Sequence, residues 1–159
     1  MPETDRVNSS KLFMRICLMN AVAACFFTAP VLVPGLAFPI LLTQWGAVYM
    51  VLGYFSFLVY GVLGALGWAA AYRLLDESAQ GYDKALTYLQ LSTHLVSSYG
   101  VASSLFIGGY LGARLVYEGR PVQAVGAIME VVEIPAGLFI MLAIASTLMG
   151  IINITRLKK

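Results

Sequence analysis

Long runs of uncharged, mostly apolar residues alternate with short charged segments along the chain. Residues 16–72 contain no charged side chain, and neither do residues 85–113 or 134–155. A helix needs about 20 apolar residues to cross a hydrocarbon core of ~30 Å, so the first run has room for two crossings and each of the others for one. A turn is expected near Pro30, Pro34, Gly35 and Pro39, because proline removes a helix donor and disfavours helix in the residue before it.

The pattern predicts four helices in a single membrane domain covering residues 1–159. Their expected ranges are 12–33, 43–74, 84–115 and 122–154. The apolar runs are continuous, whereas the strands of a membrane barrel alternate apolar and polar residues. The expected fold is therefore all-α, an integral membrane four-helix bundle.

Composition excludes a water-soluble or disordered chain. Hydrophobic residues make up 60% of the sequence and charged residues only 11%, whereas soluble domains average about 25% charged residues. Disordered chains are poor in apolar residues and rich in charge. The lipid bilayer is thus the expected surrounding. We expect a multi-pass membrane protein, located in a prokaryotic cell membrane.

The basic residues predict the orientation. If the N-terminus is cytoplasmic, eight of the ten basic residues fall on the cytoplasmic side and only Arg114 and Arg120 lie opposite. The positive-inside rule then places both termini in the cytoplasm. The net charge of +2 is spread over loops and tails, so it indicates orientation and no nucleic-acid partner.

Small residues recur at helical spacing in two of the predicted helices. Helix packing in lipid depends on close contact that small side chains permit. The second helix is the expected partner of the third, and docking of another subunit on part of this surface is the alternative. The third helix carries Gly100, Ser104, Gly108 and Gly112, and the second carries Gly61, Ala65 and Ala69.

His94 is the only histidine of the chain, and it shares a polar face of the third helix with Gln90 and Ser97. A polar side chain at membrane depth usually faces the bundle interior. Three roles are open: a hydrogen-bonded structural group, an axial heme ligand, and a proton-relay or ligand-binding group. A heme would need a second ligand, for which Met50, Met141 or a histidine of a partner chain are candidates.

Glu130 and Glu133 lie three residues apart on one face of the fourth helix. Charged carboxylates are costly at membrane depth, so these two are expected to face protein, water or a cation. One interpretation is an interfacial pair bonded to Arg114 or Arg120. The other is a proton or cation site of a coupled transporter.

The order of features along the chain resembles the short four-helix relatives of the heme-copper oxidase catalytic subunit. The resemblance rests on Lys11, Leu12 and Phe13, on segments 60–64 and 72–75, and on the closing segment 153–159. That family places histidines at the start of the second helix, where this chain has Gln44, Trp45, Gly46, Ala47 and Val48. The resemblance therefore implies an oxidase-derived bundle that lacks those ligands and serves as an accessory subunit.

Three hypotheses for the function follow. The chain contains no nucleophile elbow, zinc-protease motif, phosphate-binding loop or metal-ligand cluster. The first hypothesis is therefore a non-catalytic subunit of a larger membrane oxidoreductase, of the respiratory oxidase or membrane monooxygenase type. The others are a small heme- or quinone-binding electron carrier that uses His94, and a proton- or cation-coupled transporter that uses Glu130 and Glu133.

Overall fold

The computed structural model describes residues 8–37, 44–76 and 82–155, and this part of the chain is helical with no strand. Helix α1 is Ser9–Leu32, followed by one helical turn at 34–37. Helix α3 is Lys84–Tyr117 and α4 is Val122–Thr155. The predicted all-α class is confirmed.

Helix α2 consists of three consecutive segments. An α-helical segment Gln44–Ser56 leads into a π-helical segment Phe57–Gly64, and an α-helical segment Ala65–Asp76 follows. A π-helix is rare and mostly confined to single turns, so eight residues are a long example. Residue 43, the predicted start of this helix, lies outside the described residues.

Polar side chains define where α1 and α3 begin. Asn8 caps α1 by accepting a hydrogen bond from the backbone N–H of Lys11 at 2.9 Å. Asp83 caps α3 in the same way, accepting from the N–H of Leu86 at 3.1 Å. Beyond the other end of α3, Gly119 takes the left-handed conformation with a φ of 72°, which glycine adopts without a steric penalty.

Among the described residues, three helices are long and apolar enough to cross a membrane. The spans are Ser9–Pro30, Ala47–Leu74 and Gln123–Thr155. Less than a third of each span is buried in the isolated chain, and large apolar side chains such as Phe26, Val131 and Ile134 point outward. A protein that folds in water buries most of its large apolar side chains, so this apolar surface is typical of contact with lipid.

Helix α3 is not among the three, and the reason is its content of buried polar residues. Thr87, Gln90, His94, Ser97 and Ser98 are all almost completely buried on this helix. They lower its mean hydropathy although the segment 85–113 carries no charge. Helix α3 contacts both α2 and α4, which cover much of its polar face.

The glycines of α3 pack on α4. A Cβ atom at Gly108 would lie 2.7 Å from Val132 Cγ2, and one at Gly112 would lie 3.2 Å from the terminal methyl of Met129. The ring of Phe139 fills the space where a Cβ of Gly100 would stand, and Ser104 of the same stripe is half-buried. The pairing of this stripe with α2 is therefore wrong, because bulky side chains of α4 fill the groove that the glycines leave.

The small residues of α2 have other neighbours. Ala65 and Ala69 are buried against α1, in a cluster with Phe13, Ile16 and Cys17. A Cβ at Gly61 would lie 3.3 Å from Ser98 Cβ of α3. The backbones of α2 and α3 approach closely at Gly53, where a Cβ would lie 2.9 Å from the carbonyl oxygen of Ala102.

Candidate functional site

A buried polar cluster lies where α1 and α3 begin and α2 and α4 end. Its members come from all four helices, and each is at most 3% exposed. Hydrogen bonds between residues far apart in sequence hold it together, as described below. We call it the polar cluster; its members are Ser9, Tyr72, Thr87, Gln90, Ser146 and Asn153.

Asn153 is the central residue of the polar cluster. Its Nδ2 donates to Thr87 Oγ1 at 2.9 Å and to Tyr72 Oη at 3.2 Å. Its Oδ1 accepts the backbone N–H of Asp83 at 3.1 Å. One amide of α4 thus ties α2 and the start of α3 together, and such bonds between helices stabilise membrane bundles.

Gln90 continues the cluster toward the middle of α3. Its Oε1 accepts the hydroxyl of Tyr72, and its backbone carbonyl accepts the Ser146 hydroxyl at 3.0 Å. Its Nε2 has no hydrogen-bond partner among the described side chains and backbone. Gly150 faces this amide and the ring of Trp68 with no room for a Cβ, so α4 approaches α3 closely here.

His94 lies one turn further along α3 and is completely buried. The centroid of the Tyr60 ring is 4.5 Å from that of the imidazole, and the Phe13 ring meets it edge-on at 6.0 Å. The carbonyl of Gly61 lies beside the ring and also accepts Asn20 Nδ2 at 2.6 Å. Neither Nδ1 nor Nε2 of His94 has a hydrogen-bond partner in the described part of the chain.

Three further polar side chains surround His94 without using its ring nitrogens. Ser97 and Ser98 donate to the backbone carbonyl of His94, at 3.1 Å and 2.6 Å. The Oδ1 of Asn20 is buried and has no partner in the described residues. Burying an unpaired polar atom costs about 1–3 kcal/mol, so the two nitrogens of His94 together with Asn20 Oδ1 mark this region as a candidate site.

The described residues do not fit a heme with two axial ligands from this chain. Met50 precedes Gly53, which packs at the level of Ala102 and Phe106 of α3, eight to twelve residues beyond His94. Met141 is 65% exposed on the outside of α4. Met50 is therefore away from the level of the imidazole and Met141 faces outward, so neither fits as a second axial ligand.

Glu130 and Glu133 lie on the outer surface of α4, where both are exposed. The predicted pair with Arg114 is wrong, because Arg114 Nε bonds Glu118 Oε1 at 2.8 Å one turn along its own helix. Within the described residues neither glutamate forms an ion pair, with Arg120 or any other cation. They also do not line the interior of the bundle, where a transport path would run.

Sequence reasoning found Gln90, His94 and Ser97 but missed Tyr72, Thr87, Asn153 and Asn20. Tyr72 has the signature of an interfacial aromatic residue. A signal for the others was available, since an amide within an apolar run, such as Asn20 or Asn153, is costly at membrane depth unless it is paired. The hydrogen-bond partners of Asn20 and Asn153, however, lie 41 to 81 positions away in sequence.

Comparison of the chain with models of known protein families, with curated proteins and with solved structures gave no match. Two regions of the described structure are candidate functional sites: the outer face of α4 with its two carboxylates, and the interior around His94.

Proposed function

We propose that the protein is a non-catalytic subunit of a larger membrane complex, inserted as a four-helix bundle with both termini in the cytoplasm. Three of the helices have the length and hydropathy of membrane spans. The fourth, α3, crosses with them, because its polar side chains are buried against its neighbours. The membrane oxidoreductase class of the complex is proposed on the family resemblance.

The observation that carries the proposal is the exposure of Glu130 and Glu133 on an otherwise apolar face. They lie between Gly126 and Gly137 at spacings of four, three and four residues, which is one side of a helix. A Cβ at either glycine would meet nothing within 4 Å. These four residues define the α4 outer face.

The level of the α4 outer face along the bundle indicates what covers it. Gly108 and Gly112 of α3 pack beside Val132 and Met129, so the glutamates lie at the level of these glycines. Gly108 is six residues inside Arg114, about 9 Å along the helix. With Lys84 at one boundary of a ~30 Å core, this level lies near the opposite boundary, where two unpaired carboxylates on an otherwise apolar face favour the basic or hydrogen-bonding side chain of another subunit over lipid tails as their cover.

Removing the carboxylates is expected to release the protein from its complex. In native membranes extracted with a mild detergent, the wild-type chain should migrate in a large assembly on native gels, together with a redox-active subunit. The double substitution Glu130→Leu and Glu133→Leu should lower the assembled fraction at least about tenfold, equivalent to ~1.4 kcal/mol. The matched control is Glu118→Gln, which removes an exposed carboxylate that pairs only with Arg114.

A photo-crosslinking residue at Ile134, beside Glu133, should capture the same partner. When the photo-crosslinking residue replaces Val59 instead, which is 61% exposed on α2, it should capture lipid only. A stable monomer, a homodimer, or equal assembly of the double variant and the wild type would contradict the proposal.

The proposed orientation predicts the outcome of reporter fusions. A fluorescent protein that folds only in the cytoplasm should fluoresce when fused after Lys159, whereas alkaline phosphatase should be active when inserted at Gly119. The physical reason is that eight of the ten basic residues lie on the side of the termini. Phosphatase activity of a fusion after Lys159 would overturn the orientation and the four-crossing arrangement.

A further inference from the structure

A groove of about 400 Å³ opens between α2, α3 and α4 on the lipid-facing surface. Its walls are apolar except for four hydroxyls, and within the described chain none of its lining residues is charged. All four hydroxyl donors are engaged; for example, Tyr60 donates to the carbonyl of Ala143 at 3.1 Å and Ser98 to that of His94 at 2.6 Å. The hydroxyl residues are Ser56, Tyr60, Ser98 and Thr147.

His94 lies directly behind two of these walls. Tyr60 lines the groove, and the centroid of its ring is 4.5 Å from that of the His94 imidazole. Ser98 also lines the groove and bonds the His94 backbone. The two ring nitrogens, buried and unpartnered, are therefore one side chain away from a lipid-accessible opening.

The depth of the site selects the chemistry of its ligand. His94 is ten residues beyond Lys84, about 15 Å along α3 and close to the middle of a ~30 Å hydrocarbon core. A charged lipid head group would be buried there without a counter-ion, which is costly. A neutral ring that bears oxygen atoms and an apolar tail fits the depth, the apolar walls and the unpaired nitrogens.

We propose that the groove binds a molecule of the quinone class. The apolar tail of the quinone lies along the α4 wall at Ala143 and Ile144. Its oxygenated ring breaks the hydrogen bond between Tyr60 and Ala143 and so reaches His94. A neutral imidazole has one donor and one acceptor nitrogen, so it can donate to a quinone carbonyl or accept from a quinol hydroxyl. This site is separate from the α4 outer face and does not depend on the subunit role.

The test uses the full-length protein in lipid nanodiscs, with a decyl-substituted benzoquinone as the probe. Because His94 is the only histidine, ¹⁵N-histidine labelling gives one set of ring-nitrogen NMR signals. Saturable binding of the quinone is expected to shift one of these signals. Decylbenzene, which has the tail and ring without the oxygens, should leave both unchanged.

Three variants locate the site. Ala143→Phe fills the groove from α4 without touching His94 and should weaken quinone binding at least tenfold, with unchanged helix content. His94→Ala should weaken binding as much, whereas His94→Asn, which keeps a donor and an acceptor, should recover part of it. Met19→Leu, in a separate apolar groove along α1, is the control and should bind as wild type does.

Equal uptake of the quinone and decylbenzene with unshifted His94 signals would overturn the proposal, since the groove would then hold only apolar chains. Unchanged binding in Ala143→Phe would overturn it too, even if His94→Ala failed to fold. A visible heme band in the purified protein that is lost in His94→Asn would assign the imidazole to iron and likewise remove the quinone site.

Discussion

Replacing Gly108 with alanine is expected to destabilise the contact between α3 and α4 by about 1–3 kcal/mol, the range of overpacking in a tight core. The new Cβ would lie 2.7 Å and 2.8 Å from the two methyl groups of Val132. Valine in a helix has one strongly preferred rotamer, so the methyls cannot turn away and the helices must separate. Unfolding in mixed micelles of mild detergent and dodecyl sulfate, followed by circular dichroism, measures the change.

Gly137→Ala is the matched control for Gly108→Ala. A Cβ at Gly137 would meet nothing within 4 Å, so its free energy of unfolding should stay the same or rise by up to about 1 kcal/mol through helix propensity. If the two alanine variants unfold alike, the close packing of the α3 stripe on α4 is refuted.

Replacing Asn153 with alanine is expected to lower the free energy of unfolding by roughly 2 kcal/mol, since it removes three bonds worth about 0.6 kcal/mol each in a membrane protein. The backbone N–H of Asp83 loses its acceptor, and Tyr72 and Thr87 lose a donor. The same micelle titration measures the loss, and hydrogen exchange at the start of α3 should accelerate.

Ser92→Ala provides the comparison for Asn153→Ala. Ser92 is exposed and its hydroxyl bonds only the carbonyl of Leu89 in its own turn, so stability should change by less than about 0.5 kcal/mol. A loss in Asn153→Ala no larger than that in Ser92→Ala would mean that the polar cluster does not hold the helices together.

The helices were predictable because charge-free length is a property of the local sequence. Gly100, Gly108 and Gly112 could be placed on one face of α3 by their spacing. Spacing does not say which helix meets that face, and the answer depends on Phe139 and Val132, bulky side chains that fill the space above the glycines. The partner of a smooth surface is thus set by residues elsewhere in the chain.

The candidate site was predictable only in part, for a related reason. Gln90 and His94 were singled out as polar residues on one face of α3. Tyr72 and Asn153 join them because antiparallel helices bring positions 72, 90 and 153 to one level. The shared face of Glu130 and Glu133 was also predictable, but its outward direction follows from which side of α4 packs on α3.

The π-helical segment Phe57–Gly64 lets one continuous helix serve two neighbours. A π turn holds one residue more than an α turn, and one residue corresponds to about 100° of rotation. Ahead of the segment, Gly53 presses on the backbone of α3, and behind it Ala65 and Ala69 face α1. Helix α2 thus contacts α3 through its first half and α1 through its second half, and so connects α1 to the α3–α4 pair. Deleting one residue from the π-helical segment would rotate one half of α2 away from the helix it contacts.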